Sequence, residues 1–110
     1  MKHLLKYLAA TRNYEFVISP GDCAATDRAT ITSCVDSDWA GCKATRKSTS
    51  GGVLHLNGVY VHHYSRTQST VALSSGEAEL YAIGTGVAES LGLNNFLHEL
   101  GIASNYYSLH

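Results

Sequence analysis

Four acidic residues fall into two short clusters, Asp36 and Asp38 in CVDSDWAG and Glu77 and Glu79 in SSGEAEL. Residues two apart on a strand face the same way, so Asp36 and Asp38 point together if extended backbone persists through both. Ser74 and Glu77 stand in capping-box spacing and open a helix. Glu77 and Glu79, two apart on that helix, diverge by about 200°, so at most one of them joins the aspartates. Three carboxylates drawn together repel, and desolvation sharpens the repulsion. A divalent cation relieves it, and hard oxygen donors select magnesium or manganese over zinc. Two such ions about 4 Å apart activate a water and stabilise a leaving oxygen in phosphodiester hydrolysis. The same residues also read more simply, as a solvated turn after a strand and a helix cap.

Other reactive side chains point less sharply. His62 and His63 are adjacent, and neighbours on a strand face opposite ways. His98-Glu99 lacks the rest of an HExxH pattern. Ser74-Ser75-Gly76 lacks the G-x-S-x-G of a nucleophile elbow; it reads as a helix start whose free N–H groups could hold a phosphate. Arg46 and Lys47, with Lys43, form the one candidate basic patch, either a solvated loop or a contact for a nucleic-acid backbone. Trp39 either anchors the loop after the first strand or stacks on a base or sugar. Cys23, Cys34 and Cys42 are odd in number and show no CxxC spacing, so neither zinc nor a disulfide partner is expected. Reduced thiols in an intracellular protein are the expectation. Lys plus Arg is 8 against Asp plus Glu at 9, so bulk charge announces no nucleic-acid partner. No apolar run approaches the roughly 20 residues a membrane span needs, and no signal peptide is evident.

These residues need elements to hold them. The chain has 110 residues, enough for one small domain. Leu4, Leu5 and Leu8 put a helix at 2–10. YEFVI at 14–18 reads as a short strand, and SPGD at 19–22 as a turn. β-Branched residues predict a strand over 31–36, followed by a long loop over 37–51. Asn57-Gly58 between two apolar runs predicts a type I′ hairpin that pairs Leu56 with Val59 and Leu54 with Val61. Alternation then puts Leu54, Leu56, Val59 and Val61 on the face toward a helix. Val53, His55, Tyr60, His62 and Tyr64 share the other. The helix from Ser74 carries Leu80, Ile83, Val87 and Leu91 at buried-stripe spacing. Gly84 and Gly86 suggest close packing, and Gly92 a break before a shorter helix at 93–100.

Taken together, VDSDWAGCKATRKSTSGG and YSRTQSTVALSSGEAELYAIG closely resemble the ribonuclease H domain of copia-type retrotransposon polyproteins. The family's D-x-D-W-A-G, R-x-S-T-S-G and Q-x-x-V-x-x-S-S-x-E-A-E phrases all occur here in order. MKHLLKYLAATRNYEFVI resembles the segment that connects this domain to the reverse transcriptase, so residues 1–30 read as a connector and 31–110 as the domain. The resemblance implies catalytic roles for Asp36 and Glu79, with Asp38 as a further metal ligand. It implies Mg2+ or Mn2+ as cofactor, and an RNA–DNA hybrid and the polyprotein's own reverse transcriptase domain as partners. The implied reaction is hydrolysis of the hybrid's RNA strand, with Trp39, Arg46 and Lys47 available to the nucleic acid. Its location is cytoplasmic or within transposon particles.

The implied fold is α/β and ribonuclease H-like: three antiparallel strands and a helix, then parallel strands. The family's third carboxylate, in a phrase like Y-x-D-N on the fourth strand, has no counterpart, because IASNYYSLH contains no acid. His63 stands near the family's usual tryptophan. Tyr106-Tyr107 is left either as the start of that strand or as out-of-frame or spliced sequence. The expectation is an N-terminal part of the fold with the later strands missing, its first strand open along one edge, and an enzyme incomplete on its own. The alternative is a non-catalytic nucleic-acid-binding or structural remnant.

Overall fold

The computed structural model describes residues 1–18 and 28–109. The expected turn at 19–22 and Cys23 lie outside them. In chain order the elements are α1 (Lys2–Thr11), β1 (Ala29–Asp38), β2 (Thr49–Leu56), β3 (Val59–Thr67), α2 (Ser75–Glu99) and β4 (Ser104–Leu109). No strand forms at 14–18; Phe16 instead sets its ring edge-on to Tyr60.

The four strands make one mixed sheet in the order β3-β2-β1-β4. β1 pairs antiparallel with β2, from Ile31 opposite Leu56 to Asp38 opposite Thr49. The two ends of the expected loop, residues 37–38 and 49–51, are therefore ladder, and the loop itself runs over 39–48. β4 lies parallel to β1, from Ala29 opposite Ser104 to Cys34 opposite Leu109. This corrects the expectation that the later strands are missing: Tyr106 and Tyr107 sit in a strand, and β1 is not an open edge.

The hairpin turn is as the residues require. Asn57 and Gly58 both have positive φ, 50° and 79°, the type I′ condition that glycine meets at no steric cost. Asn57 also accepts the Thr30 N–H through Oδ1 and donates its own N–H to the Thr30 carbonyl, both at 2.8 Å. The register then slips. Leu56 faces Val59, but His55 faces Tyr60 and Leu54 faces His62, with an irregularity between Leu54 and His55. Val61 is the surplus residue of a β-bulge. Beyond it every side chain of β3 is exchanged between faces relative to the simple alternation. Tyr64 is thereby buried in the core with Ile31, Leu54 and Leu97, and the expected Leu54–Val61 pair does not form.

α2 packs across β1, β2 and β4 as a single helix through Gly92, without the expected break. Its buried residues are Ala78, Ala82, Gly86, Ser90 and Leu97, whereas Leu80 is 66% and Leu91 40% exposed. The helical period was legible and its phase was not. Bulk comes from the sheet, and the helix offers small residues so that its axis can approach. A Cβ on Gly86 would stand 2.4 Å from Val35 Cγ1, 3.2 Å from Ser33 Oγ and 3.4 Å from Tyr64 Oη. Gly84 meets nothing within 4 Å, so close packing explains Gly86 alone.

Candidate functional site

Alternation along β1 buries Ala29, Ile31, Ser33 and Val35 toward α2 and leaves Cys34, Asp36 and Asp38 exposed. Asp36 and Asp38 therefore do share a face. They line a shallow groove of about 260 Å³ with Thr49, Gly51 and Ser65. Asp38 bends over Gly41, whose missing Cβ would fall 1.8 Å from Oδ2; the glycine of the D-W-A-G phrase is the space the carboxylate occupies.

Glu79 approaches from α2, half-buried, and accepts the Ser37 hydroxyl at 2.8 Å. The Ser37 N–H in turn donates to Asp36 Oδ1 at 2.8 Å. Asp36 and Glu79 are thus joined through Ser37, the intervening residue of β1. Glu77 serves the helix start. Ser74 Oγ accepts the Glu77 N–H at 3.1 Å, and Glu77 accepts the Leu73 N–H at 2.7 Å and the Tyr81 hydroxyl at 3.2 Å. The first-turn N–H groups are partly taken by the chain's own side chains. Among the described residues no group of three or more His, Cys, Asp and Glu stands where it could hold a metal ion.

The loop between β1 and β2 is tightly built. Trp39 donates its indole N–H to the Ala72 carbonyl at 3.2 Å while its ring stays 49% exposed. The Ala40 N–H reaches Ser48 Oγ at 3.0 Å, the Arg46 N–H reaches the Cys42 carbonyl at 2.7 Å, and the Cys42 N–H reaches the Lys47 carbonyl at 3.2 Å. Ala40 and Arg46 hold φ of 53° and 56°, a left-handed conformation that costs a non-glycine residue roughly 1–2 kcal/mol. Beneath the loop Gln68 is buried and donates to Ser50 Oγ at 2.9 Å and to the Ala78 carbonyl at 2.8 Å, tying β2 to α2. Lys43 and Arg46 project into solvent. The Cys42 thiol is held below its usual pKa by the Thr45 hydroxyl, then by the backbone N–H groups of Thr45 and Ala44.

A second polar cluster was not legible, because the bulge at Val61 creates it. Arg66 and His62 of β3 meet Glu89 of α2 at 2.6 and 3.7 Å, and the Arg66 guanidinium lies 5.5 Å from the Tyr64 ring centre. Burial first, then Glu89, raises the Tyr64 hydroxyl above its usual pKa, with Arg66 opposing. The outer-face His63 makes its contact with Tyr60 instead, so the two histidines face apart as adjacent strand residues should.

No family model matches the chain, and no solved structure matches it. It is 37% identical over 93 residues to the secreted RxLR effector protein 161 of Plasmopara viticola, covering 84% of this chain and 62% of that protein. It is 31% identical over 102 residues to the retrovirus-related Pol polyprotein from transposon RE1 of Arabidopsis thaliana, covering 93% of this chain and 7% of the polyprotein. To the corresponding polyprotein from transposon TNT 1-94 of Nicotiana tabacum it is 32% identical over 109 residues, 97% of this chain and 8% of the other. The chain thus spans less than two thirds of each of these relatives. Among the described residues no helix is long and apolar enough to cross a membrane. The chain is related to the retrovirus-related Pol polyproteins of transposons, and its described residues form a small mixed α/β domain of one four-stranded sheet and two helices.

Proposed function

We propose that this chain is a ribonuclease H-type module of a transposon Pol polyprotein that contacts an RNA–DNA hybrid without cleaving it on its own. What carries this reading is the composition of β4. The strand that lies beside β1, where a further metal-binding carboxylate would be wanted, reads SNYYSL and holds no acid. Asp36, Asp38 and Glu79 are left short of the set that two cations need. The contact itself falls to the loop after β1, where Trp39, Arg46 and Lys47 stand on a hydrogen-bonded frame. Strained residues at a rigid exposed loop fit a binding role. A half-exposed indole suits stacking on a base or sugar, and Arg46 and Lys47 suit phosphates. Residues 1–30 are then the connector toward a reverse transcriptase domain.

The enzymatic reading, with Asp36 and Glu79 as catalytic ligands of Mg2+ or Mn2+, draws support from the shared groove of Asp36 and Asp38. One experiment separates the two. Purified residues 1–110 are incubated with a labelled RNA–DNA hybrid and Mg2+ or Mn2+, beside the Asp36→Asn variant, and binding is followed by anisotropy across a salt series. The expected result is binding without cleavage. Arg46→Ala with Lys47→Ala is expected to lower the salt slope by about 2, one per phosphate contact. Cleavage that disappears in Asp36→Asn would overturn the proposal, as would failure of the folded chain to bind the hybrid.

A further inference from the structure

Gln68 is a buried amide, 8% exposed, whose two ends meet different surroundings. Its side-chain nitrogen donates to acceptors on two elements, Ser50 Oγ of β2 at 2.9 Å and the Ala78 carbonyl near the start of α2 at 2.8 Å. Its Oε1 is buried without a hydrogen-bond partner among the described residues. An unmet buried acceptor costs stability, and a methionine of similar shape fills the same space without that cost. Packing therefore does not account for an amide here. Direction does, because two donated bonds fix the relative placement of three segments in a way that apolar contact does not.

The segment so placed is the connection from β3 to α2. Gln68 opens it, and the Gln68 backbone N–H donates to the Ser48 carbonyl at 2.8 Å. The Leu73 N–H closes it by donating to Glu77. Between these ties Ala72 is buried, flanked by exposed Val71 and Leu73, and its carbonyl receives the Trp39 indole N–H. Ser48 Oγ accepts the N–H of Ala40, the residue after Trp39. The main chain beside Trp39 and the indole itself thus both trace back to Gln68, the first through its backbone and the second through the segment its side chain pins.

We infer that Gln68 is the positioning residue for Trp39: its side-chain amide pins the Ala72 segment to β2 and α2, and so holds the half-exposed indole in one orientation. This role deepens the nucleic-acid contact proposed above and rests on it for the use to which the indole is put. Removing the amide leaves the backbone bond to Ser48 in place, so the base of the loop that carries Arg46 and Lys47 stays tied. Stacking then depends on the Gln68 side chain, and phosphate contact does not.

Trp39 is the chain's one tryptophan, so fluorescence of the free chain reads its placement directly. Gln68→Met is expected to keep the parent's circular dichroism, to shift the emission to the red and to raise quenching by acrylamide. Its affinity for an RNA–DNA hybrid is expected to fall about tenfold, the lower part of what one stacked base supplies, with the salt slope unchanged. The double variant with Trp39→Ala is expected to bind as Trp39→Ala alone does, since both changes remove one interaction. Should Gln68→Met not fold, Ser50→Ala removes one acceptor of the amide and is expected to move emission and quenching the same way by less. Parent-like emission and quenching in a folded variant overturn the inference, whether or not the chain binds the hybrid. So do losses that add in the double variant, or a salt slope that falls in Gln68→Met. A parent chain that does not bind the hybrid, with emission shifted as expected in the variant, removes the nucleic-acid reading and supports the positioning of Trp39.

Discussion

Gly84 and Gly86 are two residues apart on one helix and meet opposite surroundings. A methyl group on Gly86 would press into Val35 beneath the helix, and overpacking of this kind costs about 1–3 kcal/mol. A methyl group on Gly84 enters open space and gains up to about 1 kcal/mol of helix propensity. Urea titration is expected to show Gly86→Ala unfolding at lower and Gly84→Ala at equal or higher denaturant than the parent. Tyr64 provides a second test at this scale. Its ring covers Gly52, the residue opposite it on β2, and its buried hydroxyl has no hydrogen-bond partner among the described residues. Burial raises its pKa, so the fold favours the protonated phenol. That contribution is fully present below the usual tyrosine value of about 10 and is lost as pH climbs through the raised one. Tyr64→Phe is expected to leave neutral-pH stability unchanged or higher and to remove part of the alkaline loss, read from melting temperature against pH. The candidate acids were legible as residues, because strand alternation alone put Asp36 and Asp38 on one face. The linkage of Asp36 to Glu79 through Ser37 was not, since no spacing rule specifies a side chain from an adjacent strand position on the other face.

At the scale of elements, existence was easier to read than phase. Asn57-Gly58 specified its turn through the sign of φ, and Ser74 its helix start through a cap. The hairpin faces failed one residue later, because a bulge at Val61 leaves no mark in composition. The helix stripe failed for a different reason. Burial was assigned to the largest apolar residues, whereas Ile31, Leu54 and Tyr64 already fill the interlayer space from the sheet side. β4 was ambiguous because neither its composition nor its neighbours in sequence announce a strand whose partner lies at the start of the domain. The bulge has its own consequence in the tie between β3 and α2. Glu89→Gln removes the carboxylate charge that Arg66 and His62 share. Exposed pairs of this kind contribute about 0.2–1 kcal/mol. The expected result is a small drop in global stability, with faster hydrogen exchange confined to β3.

For the molecule as a whole, the sheet has a helix on one face, an exposed acidic groove at one end of the other, and two outer strands, β3 and β4. The edge that was expected to be open at β1 is closed by its parallel neighbour, and that closure has a cost in time. Ala29 at the start of β1 pairs with Ser104, and Cys34 with Leu109, so almost the entire domain must be made before the partner strand exists. Chains are synthesised at about 5–20 residues per second, which leaves β1 waiting for several seconds with one side unpaired. The hairpin of β2 and β3 forms from neighbours in sequence and does not wait. The β1–β4 ladder is a long-range contact of the kind that slows folding, and it is the step at which a nascent chain is most exposed to pairing with a neighbour on the same messenger.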